Sequence, residues 1–216
     1  MIAIDGPSGS GKSSTAREVA RRLGLSYLDT GAMYRAVAVA FLDAGVSPDD
    51  PAGIIAATTS ADIDISLDPD VAWVRVNGRD VTAEIRQPRT ARNVSAVARI
   101  AECRADLVRR QRDLMDADPR GCVAEGRDIT TVVYPDADLR LLLTASPEVR
   151  LARRGDQLGG RLDSDQLRDQ VLRRDADDSK LVDFMTPGEG VRLLDTSDLS
   201  FDEVVDTIVA LAKENQ

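Results

Sequence analysis

The stretch MIAIDGPSGSGKSSTAREVARRLG, residues 1–24, sets a short apolar run against a cluster of glycines, a lysine and a helical pattern. Ile2-Ala3-Ile4 reads as a buried strand. From Lys12 onward Ala16, Val19, Ala20 and Leu23 recur at helical spacing, and Gly24 ends the run. Between the two, Gly6–Ser13 fits the pattern G-x-x-x-x-G-K-[ST] in full. The glycines let the backbone fold tightly and turn N–H groups inward, toward the point where a helix begins with unpaired N–H groups and partial positive charge. Lys12 adds a full charge able to span two phosphates, and the Ser13 hydroxyl suits a hard divalent cation. The nucleotide-holding stretch is therefore Gly6, Pro7, Ser8, Gly9, Ser10, Gly11, Lys12, Ser13 and Ser14.

Working outward, Leu25–Asp29 reads as a second strand and TGAMYRAVAVAFLDAG as a helix that stops at Gly45. A short helix is predicted near Gly53–Thr58. Over Ala61–Ile85 the period changes to two, with Asp-Pro and Asn-Gly turns, as in antiparallel strands joined by hairpins. Helical spacing returns over 89–117. Cys122–Asp128 reads as a buried strand running into a loop, and Leu139–Ser146 as an interior parallel strand. Ser146 and Pro147 open the next helix, VRLLD is a last strand, and Ser200 with Glu203 forms a capping-box pair before a final helix. Strands alternating with helices imply an α/β fold with a parallel sheet covered on both faces, whose ligands bind beyond the carboxyl ends of the strands.

A chain of 216 residues with 43% apolar content can bury one sizeable core, with room for an inserted lobe. No window approaches a membrane span, and the N-terminus lacks a signal-peptide layout. Cys103 and Cys122 form neither a metal-ligand spacing nor a disulfide framework, so a reducing cytoplasmic setting is expected. A net charge of −9 argues against broad adhesion to nucleic acid or to an anionic membrane. No exposed apolar stripe demands a partner, so a monomer is expected. Of the 28 cations 25 are arginine, whose fork matches phosphate oxygens in pairs; Lys12 is one of only three lysines.

Three further segments point to a second anionic ligand. LDTGAMYR supplies Thr30 at a helix start, then Tyr34 and Arg35. NVSAVARIAECR supplies Ser95 and Arg104, and EGRD places Glu125, Arg127 and Asp128 at the tip of a buried strand. Each has a plain structural reading too: Thr30 as a helix cap, Arg104 as a solvated cation, Glu125 as a partner of Arg127. Together, three polar clusters at strand ends beside a phosphate cradle point to an acceptor site.

DGPSGSGKSS, LDTGAMYR, EIR, EGRDITTVVYPDA, RRD with DS a few residues later, and LDTS occur here in that order. In these motifs, spread over nearly the whole chain, the sequence resembles the bacterial cytidylate kinases, within the nucleoside monophosphate kinases. The resemblance implies transfer of the ATP γ-phosphoryl to CMP or dCMP, with Mg²⁺ accompanying ATP. It implies a core of five parallel strands over 1–45 and 118–216, an inserted monophosphate-binding lobe over about 46–117, and a mobile lid over about 155–172. Thr30, Tyr34 and Arg35 would line the monophosphate site, with Arg35 on the phosphate. Ser95 and Arg104 would meet cytosine or phosphate, and Arg127 and Asp128 would hold phosphate and sugar or base. Glu125 would orient Mg²⁺-bound water beside Ser13. Arg153, Arg154 and Arg174 would be lid-side cations, with Arg174 also reaching CMP, and Asp178 a ribose contact. Two departures stand out: Leu181 where the family usually has an arginine, and Thr130 where it usually has a glycine.

Two rivals remain open on the sequence: another small-acceptor P-loop kinase, of nucleotide or shikimate type, and a nucleotide-sensing module that transfers nothing. The antiparallel insert and LDTGAMYR weigh against the first, and the number of groups available to a second ligand against the other.

Overall fold

The structure, a computed structural model, describes residues 1–157, 179 and 184–214. The chain divides into two compact units, residues 1–25 with 122 onward, and residues 26–121.

In the first unit β1 (Ile2–Asp5) is flanked by β6 (Cys122–Gly126) and β7 (Leu139–Thr144), and β7 pairs with β8 (Arg192–Asp195), all in parallel. Within this unit the strand order is β6-β1-β7-β8, and β2 (Ser26–Asp29) belongs to the second unit. The strands are short apolar runs because both faces are covered: Ala3, Ile4, Val123, Ala124, Leu141 and Leu143 are fully buried. At the edge, β8 leaves Leu193 half exposed. Among the described residues, this unit carries α1 (Lys12–Leu23), α6 (Pro147–Gln157) and α7 (Phe201–Glu214). The face of α1 that carries Ala16, Val19 and Ala20 packs on the sheet, and Gly24 closes the helix in the left-handed conformation. The capping box of α7 is formed: the Ser200 amide and hydroxyl both donate to Glu203 Oε2, at 2.8 and 2.7 Å, and the Glu203 amide donates back to Ser200 Oγ.

In the second unit α2 (Thr30–Asp43) is apolar nearly all round and forms the centre. It packs against α3 (Pro51–Ser60), α4 (Pro88–Ala98) and the 3₁₀ turn Glu84–Arg86. α5 (Ala101–Asp116) packs on α3 and α4. The period-two stretch folds as an antiparallel sheet of β3 (Ile63–Ile65), β4 (Val74–Val76) and β5 (Arg79–Asp80). Asn77 and Gly78, both at positive φ, make the tight turn between β4 and β5, and Asn77 Oδ1 accepts from the Asp62 amide at 2.9 Å.

One element has no sequence signal. Ile129–Val133 winds as a single wide turn, with the Tyr134 amide donating to the Ile129 carbonyl at 2.8 Å. Its residues, ITTVV, favour a strand. They wind because Asp5 takes the first amides of the turn, at Ile129 and Thr130.

Candidate active site

β1 ends at Asp5 and β6 at Gly126, and these two residues are register partners. Two loops therefore leave neighbouring strands at the same edge of the sheet. The first is the phosphate loop. Gly11 takes the N-cap position of α1 at φ 86° and offers no side chain to the free amides. The first turn of α1 holds no acidic residue of its own, so the helix itself sets no carboxylate against its positive end.

Gly9 is held close. A Cβ there would sit 2.5 Å from the Arg150 carbonyl oxygen, at φ +79°. Gly9→Ala is therefore expected to add a backbone clash to the roughly 1–2 kcal/mol cost of a left-handed alanine. A melting temperature lower by about 5 °C or more follows for a chain of this size. Gly24→Ala shares the left-handed φ but meets nothing within 4 Å, and should cost clearly less. Paired thermal melts measure the difference.

Glu125, at the tip of β6, is 3% exposed and gathers the functional ends of the phosphate loop. Ser13 Oγ donates to Glu125 Oε1 at 2.7 Å, and Lys12 Nζ lies 4.0 Å from Oε2. Lys12 Nζ also donates to the Pro7 carbonyl at 3.4 Å. The buried carboxylate is thus matched by an ammonium and a hydroxyl. Arg127 Nη1 donates to the Gly6 carbonyl at 2.6 Å, and the guanidinium lies 4.4 Å from the centre of the buried Phe184 ring. Asp128 is buried, and its carbonyl accepts from the Val132 and Val133 amides.

α6 braces the loop from the other side. Arg150 Nη1 donates to the Ser8 carbonyl at 3.1 Å. One turn on, Arg153 Nη1 donates to Thr196 Oγ1 and Nη2 to the Thr196 carbonyl, both at 2.8 Å. Arg153 Nη1 and Thr196 Oγ1 each reach the Ser10 carbonyl at 3.4 Å. Arg153, expected as a lid-side cation, is here a brace on the phosphate loop. Arg154 is half-buried on the same helix. Arg174 and Asp178 lie outside the described residues, as do Lys180, Leu181 and most of the stretch expected as a lid.

In the second unit Asp29 organises LDTGAMYR. It is the N-cap of α2, with Oδ1 accepting from the Ala32 amide at 2.8 Å. Thr30 is therefore not the cap but the first helical residue, and it is buried. Arg35 Nη2 donates to both Asp29 oxygens, at 3.2 and 3.0 Å. Tyr34 is half-buried one position before it. Ser95 on α4 and Arg104 on α5, both half-buried, sit on helices that pack together. A cleft of about 300 Å³ in this unit has Asp43, Arg79 and Glu84 in its lining, where Arg79 pairs with both carboxylates.

Asp5, Asp29, Arg150 and Phe184 were not singled out by sequence. Arg150 alone left a trace, since it shares a helix face with Arg153 three residues on, just after a strand end.

A glycine loop of this build, heading a helix at the carboxyl edge of a parallel sheet, places the chain among the P-loop α/β proteins. The family model for cytidylate kinase matches residues 2–214. A cytidylate kinase of Cutibacterium acnes is 49% identical over 212 residues, covering 98% of this chain and 95% of the relative. Cytidylate kinases of Streptomyces avermitilis and Corynebacterium glutamicum are 43% and 45% identical, each covering at least 99% of this chain and 94% of the relative. The chain belongs to the cytidylate kinase family.

Proposed function

We propose that the protein transfers the γ-phosphoryl group of ATP to CMP or dCMP, giving ADP and CDP or dCDP. The observation that carries this reading is the meeting of Lys12, Ser13 and Glu125 beside the glycine loop. Family membership supports the choice of acceptor.

The residues fit a divalent cation, since Ser13 Oγ and the Glu125 carboxylate are adjacent hard oxygen donors. Ser13 would hold Mg²⁺ directly and Glu125 through water, and the ion would offset charge on the ATP phosphates. The chain's own groups do the rest. The loop amides and the N-terminus of α1 bind the ATP phosphates, and Lys12 spans the bond that breaks. Arg35 grips the CMP phosphate with Thr30 and Tyr34 around it. Ser95 and Arg104 meet cytosine or phosphate, and Arg127 and Asp128 meet phosphate and sugar or base. Arg153, Arg154 and Arg174 supply further positive charge, and Asp178 a ribose contact. Residues 46–117 form the acceptor-binding lobe in this reading.

The attacking atom is a phosphate oxygen that is already anionic near neutral pH. No general base is required, which suits a chain without histidine. Catalysis reduces to holding two anions in line and offsetting the charge that moves.

An acceptor screen tests the proposal. ADP release from ATP is followed with CMP, dCMP, UMP, AMP or shikimate, and without acceptor. CMP and dCMP should stimulate release most strongly. Stimulation by another acceptor alone, or release indifferent to all of them, would refute it.

A further inference from the structure

We propose that Asp5 is a positioning residue for phosphoryl transfer: it pins the loop that carries Arg127 and Asp128 to the start of the phosphate loop. The proposal rests on the function given above.

Asp5 is the last residue of β1, immediately before Gly6, and is 3% exposed. Its carboxylate faces the second loop. Oδ1 accepts from the Ile129 amide at 2.9 Å. Oδ2 accepts from the Thr130 amide at 2.8 Å and from Thr130 Oγ1 at 2.6 Å. The two amides open the Ile129–Val133 turn, where they lack partners within the turn, so Asp5 caps it from a different strand. A buried carboxylate needs such donors, and three of them hold it in one orientation.

A second tether uses a side chain of the second loop. Arg127 Nη1 donates to the Gly6 carbonyl at 2.6 Å. Consecutive residues of the first loop, Asp5 and Gly6, therefore grip the second loop on either side of Asp128. The positions of Arg127 and Asp128 relative to the phosphate loop are set by these bonds together with the strand register Asp5–Gly126. Thr130 stands where the family resemblance leads one to expect glycine. A glycine there could give the amide bond but not the hydroxyl bond, so this chain has an added donor on Asp5.

A carboxylate that only stabilised the fold would lower the melting temperature and leave turnover of the folded enzyme intact. A positioning role predicts a loss in kcat that depends on Arg127. The test compares Asp5→Asn, Thr130→Val, Thr130→Ser, Arg127→Ala and the double variant Thr130→Val/Arg127→Ala. CMP-dependent ADP release is measured with ATP varied up to saturation at saturating CMP, well below each melting temperature. Asp5→Asn turns an amide toward three donors; if it fails to fold, the Thr130 variants decide.

Thr130→Val should lower kcat about tenfold, the size of one charge-assisted hydrogen bond, with a much smaller change in KM for ATP. Thr130→Ser should restore the rate. The double variant should be little slower than Arg127→Ala alone, because both act through one group. Parental kcat in Thr130→Val, no rescue by serine, or fully multiplicative losses in the double variant would overturn the proposal while leaving the kinase reading intact. A parental rate in Arg127→Ala would overturn the role given to Arg127 and the proposal with it.

Discussion

Lys12→Ala is expected to lower CMP-dependent turnover by on the order of 10²-fold or more, the loss typical when one transition-state donor is removed. Lys12 sits at the head of α1 with its ammonium 4.0 Å from Glu125 and its Nζ donating to the Pro7 carbonyl. In transfer, charge moves from the bond that breaks toward the leaving oxygen, and a fixed ammonium in a site shielded from water offsets it without reorganisation. Binding of ATP should weaken far less than kcat falls, because the loop amides and the helix terminus still meet the phosphates. Steady-state kinetics with both substrates varied separates the two effects. Near-parental kcat would remove Lys12 from the mechanism. The variant leaves Glu125 with its bond from Ser13, so a thermal melt run beside the kinetics shows whether the fold survives.

Arg35→Ala should weaken CMP by roughly 10–100-fold, from the loss of charge-assisted bonds to its phosphate, while ATP affinity changes little. Arg35 is already held in place: Asp29 caps α2 and accepts from the same guanidinium nitrogen through both oxygens. Such an arginine loses little freedom when a phosphate arrives, and preorganisation of this kind raises affinity. Arg35→Lys should recover only part of the binding, since an ammonium cannot match two oxygens at once. Isothermal titrations of each ligand measure the difference. Equal losses for CMP and ATP would contradict the placement of Arg35 on the acceptor.

The parts legible in the sequence are those where one local rule acts alone. The glycine pattern with its flanking strand and helix, the Asn77-Gly78 hairpin and the Ser200–Glu203 capping box all read directly, because each encodes a conformation within a few residues. The parts that stayed hidden depend on residues far apart in the chain. ITTVV favours a strand by composition, yet winds as a turn because Asp5, more than a hundred residues earlier, takes its first amides. Thr30 looked like a cap because threonine often is one, but its neighbour Asp29 takes that place and holds Arg35 as well. Arg153 belongs to an arginine-rich run that gives no sign of its partner, the Thr196 of LDTS. Thr130 read as a departure from the family pattern, and its hydroxyl proves to be a donor to Asp5.

Transfer of label is the most direct measurement. With ATP labelled in the γ-phosphoryl group and CMP present, label should appear in CDP in step with ADP. Without CMP, little should appear anywhere. Label released mainly as inorganic phosphate, at the same rate with or without CMP, would contradict the proposed phosphoryl transfer between two bound nucleotides.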